Sequence, residues 1–269
     1  MNLYRYISLN SKDKIERFFK LLNENKLYFS SPMFFNDPYD SKANFADCSE
    51  QDIMDALQMR YKKKHTSATH EDCHDFVQYA RKSKPEMFDG MQIRAEEQES
   101  IERSLDTNGI VCLSETNDDI LMWSHYADAH KGICLVFAKE IIANDKRFMF
   151  RKVNYPEDNR LISCKRFYGM YLEKGDEIYE LLFLTKSLHW KYEKEWRILV
   201  SAKYIENNTE DENDNRFFIC NNMLTGIIFG WKLSPALKQT ITKLIQNRPI
   251  QLYQAKRNEN NYAIDVEPL

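Results

Sequence analysis

Apolar and polar residues alternate in several short segments of the chain, a pattern typical of β-strands. These segments cover residues 3–7, 26–31, 109–114, 132–137, 148–155, 194–202, 217–220, 225–231 and 250–255. Other segments repeat their apolar residues at helical spacing. Ser11 is suited to cap a helix over 12–24, in which Phe18 and Leu22 share one face. Further helices are predicted over 117–128, beginning at the cap-like Asn117, and over 165–186 and 234–247.

The stretch from about residue 45 to 106 has a different character, because it is charged and poor in β-branched residues. A capping signal at Ser49 begins it, and 71–83 and 86–106 are also typical of helices. We interpret 45–106 as a helical insertion or lid. Strands and helices otherwise follow one another without a regular βαβ period, which favours the α+β class. The expected fold is a single domain over 1–269, with a mixed, mostly antiparallel sheet as its core.

The amino-acid composition reduces the number of functional classes that fit the chain. The net charge of -3 gives no overall basic surface for nucleic acid. Only seven glycines occur, and neither of the common glycine-rich phosphate loops is present. No apolar run is long enough to cross a bilayer, so we expect a cytoplasmic protein without a membrane partner. The six cysteines form no C-x-x-C pair, and we expect reduced thiols, with Cys112 and Cys134 in the core.

Four short segments combine reactive polar groups with bulky aromatic residues. They cover residues 4–6, 28–40, 122–132 and 190–197, at ends of predicted strands or on a short helix beside one, where sites are usually assembled. The candidate substrate-binding residues in them are Tyr4, Tyr28, Asn36, Asp37, Trp123, Tyr126, His130 and Arg197. His125 is a candidate general base or phosphate ligand, because the pKa of histidine lies near neutrality. Asn36 and Asp37 are also suited to close a turn.

Taken together, the motifs LYRY, LYFSSPMFFNDPYD, LSETNDDILMWSHYADAHKGI and WKYEKEWR resemble the bacterial domain-of-unknown-function family 2971. The resemblance extends from Leu3 to at least Trp231. It implies no activity. It does imply a cytoplasmic bacterial or phage-borne protein, in a defence, toxin or mobile-element setting.

A second resemblance implies an activity. Arg5, then Ser30 after an aromatic pair, then Glu193 and Glu195 occur in the order found in ADP-ribosyltransferases of the Arg–Ser–Glu class. This resemblance implies NAD as the substrate, bound through its phosphates by Arg5. Glu195 would stabilise the ribosyl cation, Glu193 would position a protein or nucleic-acid acceptor, and Ser30 would act as a scaffold. Strand alternation predicts that the two glutamates share one face.

Two alternatives belong to other functional classes. Asp37, Asp40, His125 and Glu195 are the ligands expected if the chain is a metal-dependent nuclease. The aromatic motifs would instead recognise a nucleotide or phage component if the chain is a non-catalytic sensing module of a defence system. His65, His70, Cys73 and His74 also include a zinc-compatible spacing, but we interpret that segment as an exposed polar helix.

Overall fold

The computed structural model describes residues 1–41, 46, 49–157 and 180–269. These residues form two compact units, which are described separately. The first unit contains Met1–Ser31, Thr107–Val153 and His189–Leu269, and the second contains Pro32–Asp106 and Asn154–Leu188. The predicted helix at 165–186 lies largely outside the described residues, as do Cys48 and Cys164.

The strands belong to the first unit. They are β1 (Asn2–Ile7), β2 (Lys26–Tyr28), β3 (Gly109–Ser114), β4 (Ile133–Ala138), β5 (Met149–Lys152), β6 (Glu195–Val200), β7 (Phe217–Ile219), β8 (Leu224–Phe229), β9 (Gln251–Arg257) and β10 (Ile264–Pro268). Eight of them form one sheet in the order β10-β9-β8-β4-β1-β3-β6-β5, while β2 pairs with β7. Only the β8–β9 pair is parallel among the described strands. The predicted α+β class is therefore confirmed.

Three of the five α-helices described in the first unit begin at side-chain caps. They are α1 (Lys12–Glu24), α5 (Ile120–Tyr126), α6 (Lys139–Asn144), α7 (Ala202–Glu206) and α8 (Pro235–Ile245). Ser11 accepts a hydrogen bond from the backbone of α1, as predicted, and Ser234 caps α8 in the same way. The cap of α5 is Asp119 and not Asn117, because the Asp119 carboxylate accepts the Met122 backbone N–H at 2.9 Å.

The main sheet has two different faces. Leu3 and Ile7 of β1 belong to the larger apolar core, which also contains α1 and α8 side chains such as Leu22 and Ile241. Tyr6 of β1 points to the opposite face and packs there against Trp123 of α5. Successive residues of a strand alternate between the two faces. The register therefore assigns each polar residue of the strands to a face.

The second unit contains α2 (Glu50–Lys64), α3 (His70–Ser83) and α4 (Gly90–Thr107, whose last residue belongs to the first unit). Capping boxes begin α2 at Ser49 and α3 at Thr69. On α3, Cys73 is buried while His70 and His74 are exposed. Across the described part of the chain, no helix has the length and apolar character needed to span a bilayer.

The acidic segment 206–215 contains a buried residue. Asp211 is 7% exposed, and its carboxylate accepts hydrogen bonds from Lys20 at 2.9 Å and Lys26 at 3.0 Å. Burial alone would raise the pKa of Asp211, but hydrogen bonds from Lys20, the Asn213 backbone and Lys26 lower it further than burial raises it. The segment thus attaches to α1 and β2 through one carboxylate.

We expect this carboxylate to make stability dependent on pH. Because the folded-state pKa of Asp211 is lowered, its contribution is present above the unfolded value of about 3.9 and is lost as pH falls towards the folded value. Asp211→Asn should therefore lower the Tm at neutral pH, and its deficit relative to the wild type should shrink below about pH 4. Thermal unfolding over an acid pH series measures this. A deficit that stays constant down to acid pH would contradict the assignment.

Candidate functional site

Three elements of the first unit meet at Glu193. This residue ends a 3₁₀ helix (Leu188–Glu193) that precedes β6, and its side chain is buried. The Tyr126 hydroxyl of α5 donates to the Glu193 carboxylate at 2.6 Å, and the Ser114 hydroxyl of β3 donates to the Glu193 carbonyl at 2.7 Å. Lys194 follows in a left-handed conformation with φ of 45°. Glu193 is thus fixed through both its side chain and its backbone.

Glu195 and Arg197 form a buried ion pair two residues further on. The Arg197 guanidinium donates to both carboxylate oxygens of Glu195, at 2.7 and 3.1 Å, and the two side chains are 0% and 3% exposed, respectively. Alternation along β6 brings these two side chains to the same face. The sequence predicts that Arg197 binds substrate. In the structure, its side chain is buried and is held there by the carboxylate of Glu195. We name Ser114, Tyr126, Glu193, Glu195 and Arg197 the Glu193 cluster.

Aromatic rings lie beside the Glu193 cluster. His125 is exposed, and its ring centroid is 6.3 Å from that of Tyr126 and 6.5 Å from that of the half-buried Trp190. Trp190 in turn lies 6.1 Å from Tyr192. Among these rings, those of His125 and Trp190 are solvent-accessible neighbours of a buried carboxylate. This arrangement is suited to a ligand with a planar ring.

The side chain of Trp123 is buried in the apolar core on the α5 side of the sheet. It is 0% exposed, its indole N–H donates to the Asn117 carbonyl at 2.8 Å, and its ring makes an edge contact with Tyr6. Tyr4 lies on the same face of β1 and is half-buried; burial is the main cause of the raised pKa of its hydroxyl. The structure therefore places Trp123 in the core and leaves Tyr4 at its margin.

His130 lies in an unusual turn between α5 and β4. Asp128, Ala129 and His130 all have positive φ, a costly conformation for residues with a side chain. The His130 ring is parallel to Trp123, its Nε2 is 3.4 Å from the Ser124 hydroxyl, and its buried Nδ1 has no hydrogen-bond partner in the described structure. Burial, together with the nearby Lys232, lowers the pKa of His130, so the ring is neutral at physiological pH.

Two glycines allow the backbone of this turn to pack closely. A Cβ at Gly230 would lie 2.2 Å from the His130 carbonyl, and one at Gly132 would lie 2.2 Å from the Ile7 carbonyl. We expect Gly230→Ala to lower the free energy of unfolding by about 1–3 kcal/mol through overpacking, as measured by urea denaturation. Gly226→Ala is the matched control, because its nearest atoms lie at 3.1 Å and two of its three neighbours are side chains. Equal losses in both variants would contradict this explanation.

Arg5 and Ser30 do not join the Glu193 cluster. Tyr4 pairs with Ser114, and Ser114 pairs with Glu195, so these three residues share one face and Arg5 points to the other. Ser30 pairs with Ile110, which is four residues, about 13 Å, along β3 from Ser114. Tyr28 is also distant in register and stacks under Arg17. The predicted convergence of Arg5, Ser30 and Glu195 is therefore absent, because sheet register separates them.

The NDPYD turn belongs to the second unit. Asp37 Oδ1 accepts the Tyr39 backbone N–H at 2.9 Å, which closes the turn as the sequence indicates, while Asn36 is exposed. Asp37 Oδ2 is buried without a hydrogen-bond partner in the described structure. Asp40 forms a buried ion pair with Lys186 at 3.3 Å. Among the described residues, no group of three His, Cys, Asp or Glu side chains is arranged to hold a metal ion.

The fold and the Glu193 cluster define an α+β protein with a partnered, buried carboxylate site on one face of an antiparallel sheet. The profile of a family described as "Protein of unknown function (DUF2971)" matches residues 122–198, in agreement with the resemblance that the sequence motifs indicate. Four residues of the Glu193 cluster lie inside that match, and Ser114 lies outside it. No curated protein and no solved structure matches the chain.

Proposed function

We propose that the Glu193 cluster is a catalytic site that cleaves the N-glycosidic bond of a nicotinamide nucleotide such as NAD. The observation that carries this proposal is the 2.6 Å hydrogen bond from Tyr126 to the buried Glu193 carboxylate, beside the accessible rings of His125 and Trp190. A fixed carboxylate next to planar rings suits a substrate with a sugar and an aromatic leaving group.

The reaction needs a stabilised cation and an acceptor. The bond between C1′ of the ribose and the nicotinamide nitrogen breaks, and its electron pair leaves with neutral nicotinamide. Positive charge then develops on the sugar, where the negative charge of Glu193 lowers its energy. Water or another hydroxyl attacks C1′ and loses its proton. With water as the acceptor the products are ADP-ribose, nicotinamide and a proton.

Geometry favours Glu193 over Glu195 as the carboxylate that faces this charge. Both oxygens of Glu195 accept hydrogen bonds from Arg197, so the pair is internally compensated. Glu193 accepts the hydroxyl of Tyr126, whose ring lies beside the accessible ring of His125, so its carboxylate is oriented next to the rings that suit the substrate. This assignment gives Glu193 the stabilisation of the sugar cation, the role that the sequence analysis expected for Glu195. Arg197 becomes a positioning residue for β6.

His125 supplies a group for proton transfer. It is exposed, lies beside Tyr126 and faces Trp190, which places it at the solvent side of the Glu193 cluster. A histidine there is suited to accept the proton of an attacking hydroxyl at neutral pH. The acceptor is water in the simplest case, and a protein or nucleic acid in a transferase. Loss of cellular NAD would suit the defence or toxin setting that the family resemblance implies.

Incubation of the purified chain with NAD tests this proposal. Liquid chromatography measures free nicotinamide and ADP-ribose, with arms that contain mixed protein or RNA as acceptors. Nicotinamide release in any arm supports the proposal. If no arm releases nicotinamide although NAD binds, the function is non-catalytic recognition. Cleavage of an oligonucleotide that stops with a chelator, without nicotinamide release, would replace the proposal with the nuclease alternative.

A further inference from the structure

The turn between α5 and β4 holds the end of α5 through the backbone of His130. Its N–H donates to the Trp123 carbonyl at 3.2 Å, and its carbonyl accepts the backbone N–H of Lys232 at 3.1 Å. The first of these bonds uses one of the last four carbonyls of the helix, which have no partner within the helix itself. Tyr126 is the last residue of α5, so this turn also sets the position of the hydroxyl that donates to Glu193.

The Ser124 hydroxyl determines which ring nitrogen of His130 carries the hydrogen. It donates to the Ile120 carbonyl at 2.7 Å, so its oxygen accepts from Nε2 of His130, 3.4 Å away. The neutral ring therefore carries its hydrogen on Nε2, and Nδ1 carries a lone pair. Nδ1 is buried and has no hydrogen-bond partner in the part of the chain that the structure describes.

Protonation of His130 would place a second N–H and a positive charge at Nδ1. A buried donor without an acceptor is costly, because it has lost its hydrogen bond to water and has gained none in the protein. The turn is also strained, since Asp128, Ala129 and His130 have φ of 49°, 49° and 70°. Opening the turn would release this strain and return Nδ1 to water. We therefore expect the turn to open when the ring is charged.

The groups around the ring do little to favour its charged form. From α5, it contacts the Ser124 hydroxyl and lies nearly parallel to Trp123, with centroids 6.1 Å apart, the outer limit for attraction of a cation by an aromatic face. After β8, the positive charge of Lys232 opposes protonation. Within the turn, Asp128 precedes the ring and Lys131 follows it, so the turn supplies one charge of each sign.

We propose that His130 is an acid-sensitive switch of the Glu193 cluster. When its ring is protonated, the turn opens, the end of α5 is released, and Tyr126 loses its contact with Glu193. The effect on activity rests on the function proposed above, whereas the opening of the turn does not.

The direction of the pH dependence follows from the surroundings of the ring. Burial lowers the pKa of His130, and the positive charge of Lys232 lowers it further. Because the folded-state pKa is lowered, the contribution of the neutral ring to stability is present above the unfolded value of about 6.5. That contribution is lost as the pH falls from there through the folded-state value. The switch therefore opens on the acid side of neutrality.

Thermal unfolding of the full chain over a pH series that brackets about 6.5 tests this switch. His130→Asn is the main variant, because asparagine tolerates a positive φ and does not titrate. The Tm of the wild type should fall by about 2–4 °C relative to that of His130→Asn as the ring becomes protonated. His74→Asn is the matched control, since it removes an exposed histidine of α3 and should keep the pH dependence of the wild type.

The imidazole signals in nuclear magnetic resonance spectra report on the ring directly, even if His130→Asn does not fold. At neutral pH they should show the hydrogen of His130 on Nε2 alone. Lys232→Met should move the titration midpoint of His130 to higher pH, because protonation then meets less repulsion. A hydrogen on Nδ1 at neutral pH would overturn the proposal, as would a parallel loss of Tm in the wild type and His130→Asn.

Nicotinamide release over the same pH series separates the switch from the proposed function. On the acid side, the wild-type rate should fall by up to about tenfold relative to His130→Asn, the loss expected when Tyr126 no longer contacts Glu193. Rates that fall equally in both proteins would overturn the switch and leave the proposed function in place. If no nicotinamide is released at any pH while the Tm and the spectra respond as expected, the switch stands and the proposed function fails.

Discussion

Glu193→Gln should lower the rate of nicotinamide release from NAD by about 10²–10³-fold, since it removes a fixed negative charge next to the developing sugar cation. Glutamine keeps the size of the side chain and can still accept the Tyr126 hydroxyl, so the fold is preserved. The loss should appear mainly in kcat, because the charge on the sugar develops only in the transition state. Steady-state kinetics with chromatographic detection of nicotinamide measures both constants.

Two further variants test whether the loss of rate is specific to the negative charge of Glu193. Tyr126→Phe removes the hydrogen bond to Glu193 while its charge remains, and we expect a smaller loss of about tenfold. Glu206→Gln changes an exposed glutamate at the end of α7 and should leave the rate unchanged. If Glu193→Gln retains the wild-type rate and the wild-type Tm, Glu193 is not the catalytic carboxylate.

Arg197→Met should lower the free energy of unfolding by about 3–5 kcal/mol, because it leaves the Glu195 carboxylate buried without its partner. Both side chains are almost fully inaccessible to solvent, so water cannot replace the lost hydrogen bonds. Urea denaturation followed by circular dichroism measures the change. Methionine has a similar length to arginine, which limits the contribution from a cavity.

The double variant Glu195→Gln, Arg197→Met separates charge from packing. It removes the unpaired carboxylate as well, so we expect it to recover a part of the stability that Arg197→Met loses. Lys256→Met breaks an exposed pair and should cost less than about 1 kcal/mol. A double variant no more stable than Arg197→Met would show that the residues around the pair, and not the buried charge, determine the loss.

Local structure was predictable where one short segment contains the whole signal. Ser11 caps its helix as expected, and alternation predicted strands at β1, β3, β4 and β6. Two elements were not predicted from the sequence. Helix α6 follows β4 directly and has no side-chain cap, and β10 is a largely exposed edge strand at the end of the sheet. These elements depend on pairing or packing with distant residues.

The candidate site was predictable only in part. Tyr126 and Glu193 were both selected from the sequence, but their contact joins residues 67 positions apart. Ser114 was missed, although a serine at the end of a buried strand is a usual position for a hydroxyl that holds a neighbouring loop. The order Arg5, Ser30 and Glu195 cannot reveal on which face of a strand each lies. A shift of one residue in the strand register would move each side chain to the other face of the sheet. The strands that fix this register pair with residues more than 70 positions away.

The position of β1 has a consequence for biosynthesis. Strand β1 is synthesised before its neighbours in the sheet, where it lies between β4 and β3, and its full partner β4 ends at Ala138. At ordinary translation rates that partner follows on the order of ten seconds later. Until then the apolar side chains of β1 stay uncovered, and closing the long loop between β1 and β4 makes folding slow. Production of this protein should therefore benefit from chaperones that shield nascent chains and from slower synthesis at low temperature.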